Sequence, residues 1–420
     1  MKIFRIFLVA LSFGFSGAQI YAADSLQQIA KKSLEANIIQ LKSGPYLAAG
    51  QYQFHTLWTR DFAWASRGLF VLGRSDVVRN QLEHLLANLR PDDGLVPKTM
   101  DSMPPQNRVF LTTMDLLRNG IPLFRPIVDA IEPYFVDENE SEAIDSNLLV
   151  LLTASDYVRN TGDQAWWDIH REQLQKVFQH YTSFVDKDGL IRQPAHSDWQ
   201  DSVAREGKTL YTNLLYAVVS ERLAEDPSFE ISREQIARLH QRIDQVFLDP
   251  VSGVYRSLET GSWVSLDGNL LALDLEYIRD PEQRTALYTS LKSHPVFKGG
   301  ANLPGSNTYP DYPSDWVSRA PWMSGLSHYH DRVYWSWLMA LAGKTALTMG
   351  DPETSEKIFA ALSKVASRDK AIAEIYLDTP ALRIWRSRLY RSEKPFSWGS
   401  AFVLDFLSAR DDRAILPVEK

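Results

Sequence analysis

The sequence predicts an all-α chain folded as an (α/α)6 barrel, a ring of six helical hairpins forming a single domain with long loops on one face. Two observations predict the ring: helical segments come in pairs, and the first and last segments complete one another. A third, the unequal length of the connections, predicts which face of the ring carries the chemistry.

Each pair joins a segment apolar on nearly all sides to one whose apolar residues recur every three or four positions, the mark of a half-buried helix. DFAWASRGLFVLGRSD precedes a helix with Val78, Leu82, Leu85 and Leu89 on one face. DSNLLVLLTASDYVRNTGD precedes Leu174, Val177, Phe178, Tyr181 and Phe184. TLYTNLLYAVVSERLAEDP leads to Ile236, Leu239, Ile243 and Val246, and LDGNLLALDLEYIRDP leads to EQRTALYTSL. RVYWSWLMALAGKTALTMGDP precedes Ile358, Leu362 and Val365. A sixth apolar segment, FSWGSAFVLDFLSAR, has no partner after it, whereas SLQQIAKKSLEANIIQL (residues 25–41) is an amphipathic helix with none before it. Pairing those two closes the ring. Gly-Asp and Asp-Pro turns at 162–163, 225–226, 280–281 and 350–352 stop one helix and start the next.

Links inside each pair are short, but those from an outer helix to the next inner one run over residues 90–144, 186–208, 248–265, 293–330 and 368–396. Loops of that length in a compact domain are usually functional. This topology gathers them at the N-termini of the inner helices, whose partial positive charge favours carboxylates.

Composition narrows the partners. An apolar fraction of 45% and a charged fraction of 23% suit a globular protein, and a dispersed net charge of −7 argues against nucleic acid. The N-terminus, MKIFRIFLVALSFGFSGAQIYAADS, has a basic start at Lys2 and Arg5, a short apolar run Ile6–Phe15 and small residues at Ala22 and Ala23. It reads as a secretory signal peptide over 1–22, followed by the barrel domain over 23–420. The expected location is therefore periplasmic or secreted, with no membrane segment after cleavage. With no cysteine, neither a disulfide framework nor thiol ligands are available. Oligomeric state is left open.

Acids and aromatics concentrate in the long loops and at the inner-helix starts. HTLWTRDFAW supplies Trp58, Arg60 and Asp61, and the second inner helix opens at Asp145 after the charge run DENESEAID. HSDWQDSVAREGKTLYTNLLY (196–216) carries Asp198 and Asp201 around Trp199; Tyr329, His330, Arg332 and Trp335 enter the fifth inner helix, and Glu374 and Trp398 come before and at the start of the sixth. A single Asp before a helix is more often an N-cap than a catalyst. The case rests on so many such residues falling on one face. Scattered histidines give no metal-ligand spacing, and neither a G-x-S-x-G elbow nor a phosphate loop occurs. No metal and no cofactor are expected. A bowl of carboxylates, one arginine and many aromatics suits glycosidic bond cleavage. That reaction needs one carboxyl kept protonated by burial and another kept ionised.

These residues resemble the six-hairpin glycosidases: glucoamylases, trehalases and the amylo-1,6-glucosidase part of glycogen debranching enzymes. WTRD at 58–61 resembles the glucoamylase motif whose Arg and Asp hold hydroxyls of the terminal glucose. SDWQDSVAREGKTLYTNLLY resembles the general-acid region, with Trp199, Asp201, Gly207, Lys208 and Tyr216 fitting the debranching pattern. HYHDRVYWSWLMAL is similar to the segment entering the fifth inner helix, and AEIYLD…PFSWGSAFVLDFL to the general-base region around Glu374, with Ser397–Trp398 as its Ser-Trp pair. The resemblance implies an exported, inverting glycoside hydrolase acting on an α-linked glucoside within an oligosaccharide or polysaccharide. Asp201 would be the general acid and Glu374 the general base. Trp58, Arg60, Asp61, Asp145, Trp199, Tyr329, Trp335 and Trp398 would hold the sugar. Gln200 stands where glucoamylases place the acid, so Asp198 remains a second candidate for that role. Two other readings stand beside this one. One is a different (α/α)6 sugar enzyme, an epimerase or a polysaccharide lyase using Tyr329 and His330. The other is a non-catalytic periplasmic glycan-binding protein.

Overall fold

The computed structural model describes residues 26–136 and 140–415. The expected signal peptide and its cleavage site lie outside the described residues, as does part of the charge run DENESEAID. The chain is mostly helical. It opens with α1 (residues 26–35), followed by α2 (Thr59–Val71), α3 (Ser75–Ala87) and α4 (Pro105–Asn119). Then come α5 (Asp145–Thr161), α6 (Gln164–Gln179), α7 (Leu210–Leu223) and α8 (Arg233–Phe247). The second half contains α9 (Leu266–Asp274), α10 (Pro281–Ser293), the short α11 (Arg319–Met323), α12 (Ser336–Thr348), α13 (Pro352–Asp369) and α14 (Ser397–Ile415).

Packing separates these helices by composition. α2, α5, α7, α9, α12 and α14 touch one another in that order, and α14 closes on α2. Their sequences are apolar on most sides: every residue of α9 from Leu266 to Leu273 is buried. The second helix of each pair, α3, α6, α8, α10 and α13, packs against the first. α8 buries only Leu239, Ile243 and Phe247, one stripe of a helix otherwise wet. α1 covers the remaining gap: Ser33 Oγ accepts from Ile372 N at 3.1 Å, and the following Asn37 donates to Ser397 Oγ at 2.8 Å.

Local chemistry sets the ends. Asp163, Asp280 and Asp351 cap α6, α10 and α13 by accepting from the backbone, and Ser232 with Gln235 forms a capping box on α8. A repeat emerges at the inner-helix starts. Asn147, Asn213 and Asn269, each in a first turn, grip the chain returning from an outer helix. They do so through Val96 N and Gly94 O, through both backbone groups of Ile191, and through both backbone groups of Tyr255. Each gripped chain turns on a left-handed glycine, Gly94, Gly189 or Gly253.

Two elements differ from expectation. The helix expected over 25–41 ends at residue 35, and Ile38–Leu41 instead pairs antiparallel with Gly44–Leu47. Asn37 turns its side chain to Pro395 O and Ser397 Oγ, and the β-branched Ile38 and Ile39 suit the extended backbone that follows. Inside the long connection 90–144 lies α4, whose apolar residues do not face the core and so left no core-facing stripe to read.

At the C-terminal ends of the ring helices a polar cavity of about 390 Å³ is lined by Arg67, Asp156, Arg222, Asp274, Lys344 and Asp405. Arg67 and Lys344 both bridge Asp274 and Asp405, so the buried charges there are mutually paired.

The α2–α14 seam leaves no room for a side chain: a Cβ on Gly68 would lie 2.5 Å from Ala401 Cα. Gly68→Ala should therefore cost about 1–3 kcal/mol by forcing the two helices apart. Urea denaturation measures it, and unchanged stability would contradict the close approach.

Candidate active site at the N-terminal ends of the ring helices

The opposite end of the ring holds a cavity of about 210 Å³ lined by residues from five separate chain segments. Trp58, Arg60 and Asp61 come from the start of α2, and Trp199, Asp201 and Ser202 from the connection before α7. Tyr329 and Trp335 precede α12, while Glu374, Tyr390 and Trp398 come from the segment leading into α14.

Arg60 organises one wall. Its Nε and Nη2 donate to the two oxygens of Asp145 at 2.7 and 2.9 Å, and Nη1 donates to Asp201 Oδ2 at 3.0 Å. Burial opposes the guanidinium charge, but Asp145 and Asp201 outweigh it and raise the Arg60 pKa. Asp145 is fully buried at the first position of α5, with both oxygens occupied; it does not line the cavity. Asp201 keeps 28% of its side chain exposed. Its own carbonyl accepts from His196 Nδ1 at 2.9 Å, which fixes the backbone.

Asp198 has a different environment. It is buried against Arg205 and also accepts from Gln193 Nε2 and Gln200 N, each at 2.9 Å. It is not among the cavity-lining residues. Spacing alone could not separate the two acids; their arginines do.

Glu374 forms the other carboxylate wall. It ends at the strand Ile375–Leu377, which pairs antiparallel with Val333–Trp335 at the entry to α12. The hydroxyl of Tyr329 donates to Oε1, and Oε2 accepts from the Tyr390 hydroxyl at 2.5 Å and from Glu393 N at 3.1 Å. Burial pushes the Glu374 carboxyl up to about 7, against these three donors, which favour its ionised form. Asp61 also rises to about 7, through burial and the nearby Glu374 and Asp201, with Arg60 opposing. Behind the wall, Glu393 is buried, accepts from the backbone of Gln51, Tyr52 and Phe54, and is likewise pushed up to about 7 by burial.

Aromatics make the floor. Trp199 stands edge-on to Trp335, Trp337 and Trp398, with centroids 5.4, 5.0 and 5.8 Å away, and its Nε1 donates to buried Asp267. Trp335 Nε1 donates to Tyr329 O at 2.9 Å, tying that tyrosine to the floor. His330 stacks on Trp335 beneath the cavity, and burial drives its pKa well below the usual value, leaving it neutral. Tyr390 and Glu393 were not singled out by the sequence. Their segment, LYRSEKPFSW, precedes α14 by only a few residues, but its return to Glu374 is a tertiary contact.

Away from the cavity, Asp311, His328 and Asp331 bring ligand-type atoms within 4.8 Å of one another. Arg332 already pairs with Asp311, and His328 Nδ1 lies 2.9 Å from Asp331 Oδ1, so both acids already have partners.

No protein-family model matches the chain, and no curated protein is detectably similar in sequence. Solved structures share its fold. A rhamnosidase from Klebsiella oxytoca with rhamnose bound superposes with a TM-score of 0.63 at 16% identity, covering 91% of this chain; the chain spans only 63% of that protein. A structure described as a wild-type glycosidase gives 0.63 at 14% identity, covering 94% and 99% of the two chains. A Streptococcus pneumoniae member of a family of metal-independent alpha mannosidases, in a non-productive complex with alpha-1,6-mannobiose, gives 0.57 at 15% identity over 97% and 98%. At such identities the likeness establishes the fold.

Three buried carboxyls with raised pKa values make a testable linkage. Asp61, Glu374 and Glu393 ordinarily titrate near 3.8–4.5 and here do so near 7, so between those limits the folded chain binds more protons than the unfolded one. Their contribution to stability is full below about pH 4 and is lost as pH rises through about 7. Glu374→Gln should lose less stability than wild type between pH 5 and pH 8 in urea denaturation. Equal losses in both proteins would contradict the assignment.

Proposed function

We propose that the protein is an inverting glycoside hydrolase built on an (α/α)6 barrel of the six-hairpin type. The single observation that carries this reading is that Asp201 and Glu374, distant in sequence, line one small cavity walled by tryptophans. Their segments lead into α7 and α14, which stand three places apart in the six-membered cycle of helices and so face each other across it. An inverting reaction needs its two carboxyls about 6.5–9.5 Å apart, enough for one sugar bond and one water.

In this reading Asp201 protonates the departing oxygen. Glu374, held by Tyr329, Tyr390 and Glu393 N, takes a proton from the attacking water; a pKa near working pH is favourable for a base. Arg60 has five N–H groups, three of them engaged, so two remain for sugar hydroxyls. Asp61 accepts from further hydroxyls, and Trp58, Trp199, Trp335 and Trp398 shape the pocket around the ring. Asp145 acts through Arg60. The substrate is an α-linked glucoside, met after export to the periplasm or beyond.

One observation favours a second reading, with the two roles exchanged. Burial holds a proton on Glu374 up to about pH 7, and Asp201 is the carboxylate paired with Arg60 at 3.0 Å. Leaving-group chemistry separates the two. Asp201→Asn should lower kcat on alkyl glycosides by about 10²–10⁴-fold yet leave aryl glycosides with acidic phenols largely intact, since those leave without a proton. Glu374→Gln should slow both. The converse pattern would exchange the roles. Full activity in both variants, or loss in Asp198→Asn through catalysis rather than folding, would end the assignment.

A further inference from the structure

Beside the carboxylate cavity lies a second hollow of about 210 Å³, and the two share Trp58, Val109 and Ala320 as a common wall. Pro105, Phe110 and Val136 complete its apolar lining. Lys98, Thr99 and Gln106 contribute its polar edge. We propose that this groove is the leaving-group subsite and that it takes an apolar aglycone, an alkyl or aryl group, rather than a further sugar. The inference rests on the hydrolase reading and on Asp201 as proton donor.

The first argument is chemical. A sugar needs hydrogen-bond partners around its ring, and removing hydroxyls from water without them is costly. The wall formed by Pro105, Val109, Phe110, Val136, Ala320 and the Trp58 indole offers carbon. Buried hydrocarbon is what such a surface rewards.

The second argument is position. The acid must adjoin the oxygen that departs, so the aglycone must extend from the Asp201 side. The chain just after Asp201 is bonded to the chain just before α11: Ser318 N donates to Ser202 O and Ala204 N to Trp316 O, both at 2.8 Å. Two residues beyond Ser318 is Ala320, which lines both hollows. The groove therefore adjoins the cavity that Asp201 lines.

The third argument is that the groove is built. Its other wall, α4, is anchored by Arg108, which is fully buried and grips Asp101 through two bonds of 2.7 and 2.6 Å. Asp101 also accepts from Thr56 Oγ1 at 2.7 Å, and its strand Thr99–Asp101 pairs with Leu57–Trp58 at the entry to α2. α4 thus holds a fixed relation to Arg60 while leaving Phe110 62% exposed; Trp322 and Met323 of α11 are exposed by 59% and 56%. Exposed side chains of this size on both helices, with a hollow bordered by both, fit a ligand that supplies the missing apolar contact.

The test compares methyl and n-octyl glycosides of the same sugar and anomer, below the micelle concentration of the latter, on the full chain. The octyl glycoside should have kcat/KM higher by about tenfold or more, carried by KM, the equivalent of roughly two fully buried methylenes. Phe110→Asp should bring the octyl-to-methyl ratio towards one, and Phe110→Leu should restore it. Direct binding, read by tryptophan fluorescence, should show the same preference. Equal ratios in turnover and in binding would overturn the groove and leave the hydrolase reading standing. Saturable, Phe110-dependent octyl binding with no cleavage of any glycoside would overturn the hydrolase reading and keep the groove. Adsorption to phosphatidylcholine vesicles without preference for the soluble octyl glycoside would overturn the aglycone in favour of a lipid surface.

Discussion

Arg60 is the constraint around which the site is arranged. A guanidinium taken out of water needs compensating charge in good geometry, and removing either partner of such a pair costs about 3–5 kcal/mol. Asp145 supplies two bonds from the first turn of α5, where the helix N-terminus also favours a carboxylate. Asp201 supplies the third from the connection before α7. One side chain thereby fixes the starts of two ring helices and the loop before a third. It also decides which of two neighbouring acids faces the cavity, because Arg205 claims Asp198.

The second carboxylate wall is built on opposite principles. Glu374 has no cation within an ion-pair distance among the described residues; two tyrosine hydroxyls and a backbone N–H surround it instead. Asp201 is paired with a cation, whereas burial makes Glu374 retain a proton up to about pH 7. Acid–base chemistry draws on carboxyls held in such unlike environments. The aromatic floor contributes indirectly. Trp199, packed edge-on against three other tryptophans, makes the cavity base apolar, and a low-polarity base strengthens charge interactions above it.

The helical pairs were legible because composition and burial agree there: α7 and α9 are apolar and buried on nearly all sides, while α8 shows one stripe. The clustering of Trp58, Arg60, Asp201, Glu374 and Trp398 near helix starts was legible once the long connections were assigned to one face. Other features were not. α4 carries its apolar residues outward, so periodicity could not tie it to a core. Asp198 and Asp201 differ only in which distant arginine each meets, and sequence spacing does not encode that. Asp145 reads as a sugar-binding acid at a helix start, yet Arg60 occupies both its oxygens and it does not line the cavity. The asparagine grip at Asn147, Asn213 and Asn269 did leave a signal, a glycine turn followed by an apolar pair, but its meaning appears only when the turn meets the helix.

If Asp201 and Glu374 stand across the ring with one sugar bond and one water between them, the reaction is a single displacement. Proton NMR of the first-formed product, recorded before mutarotation, reads this directly. The account predicts that an α-glycoside releases the β-anomer. Release of the α-anomer would require a covalent intermediate and carboxyls too close together for an intervening water, contradicting the arrangement proposed here.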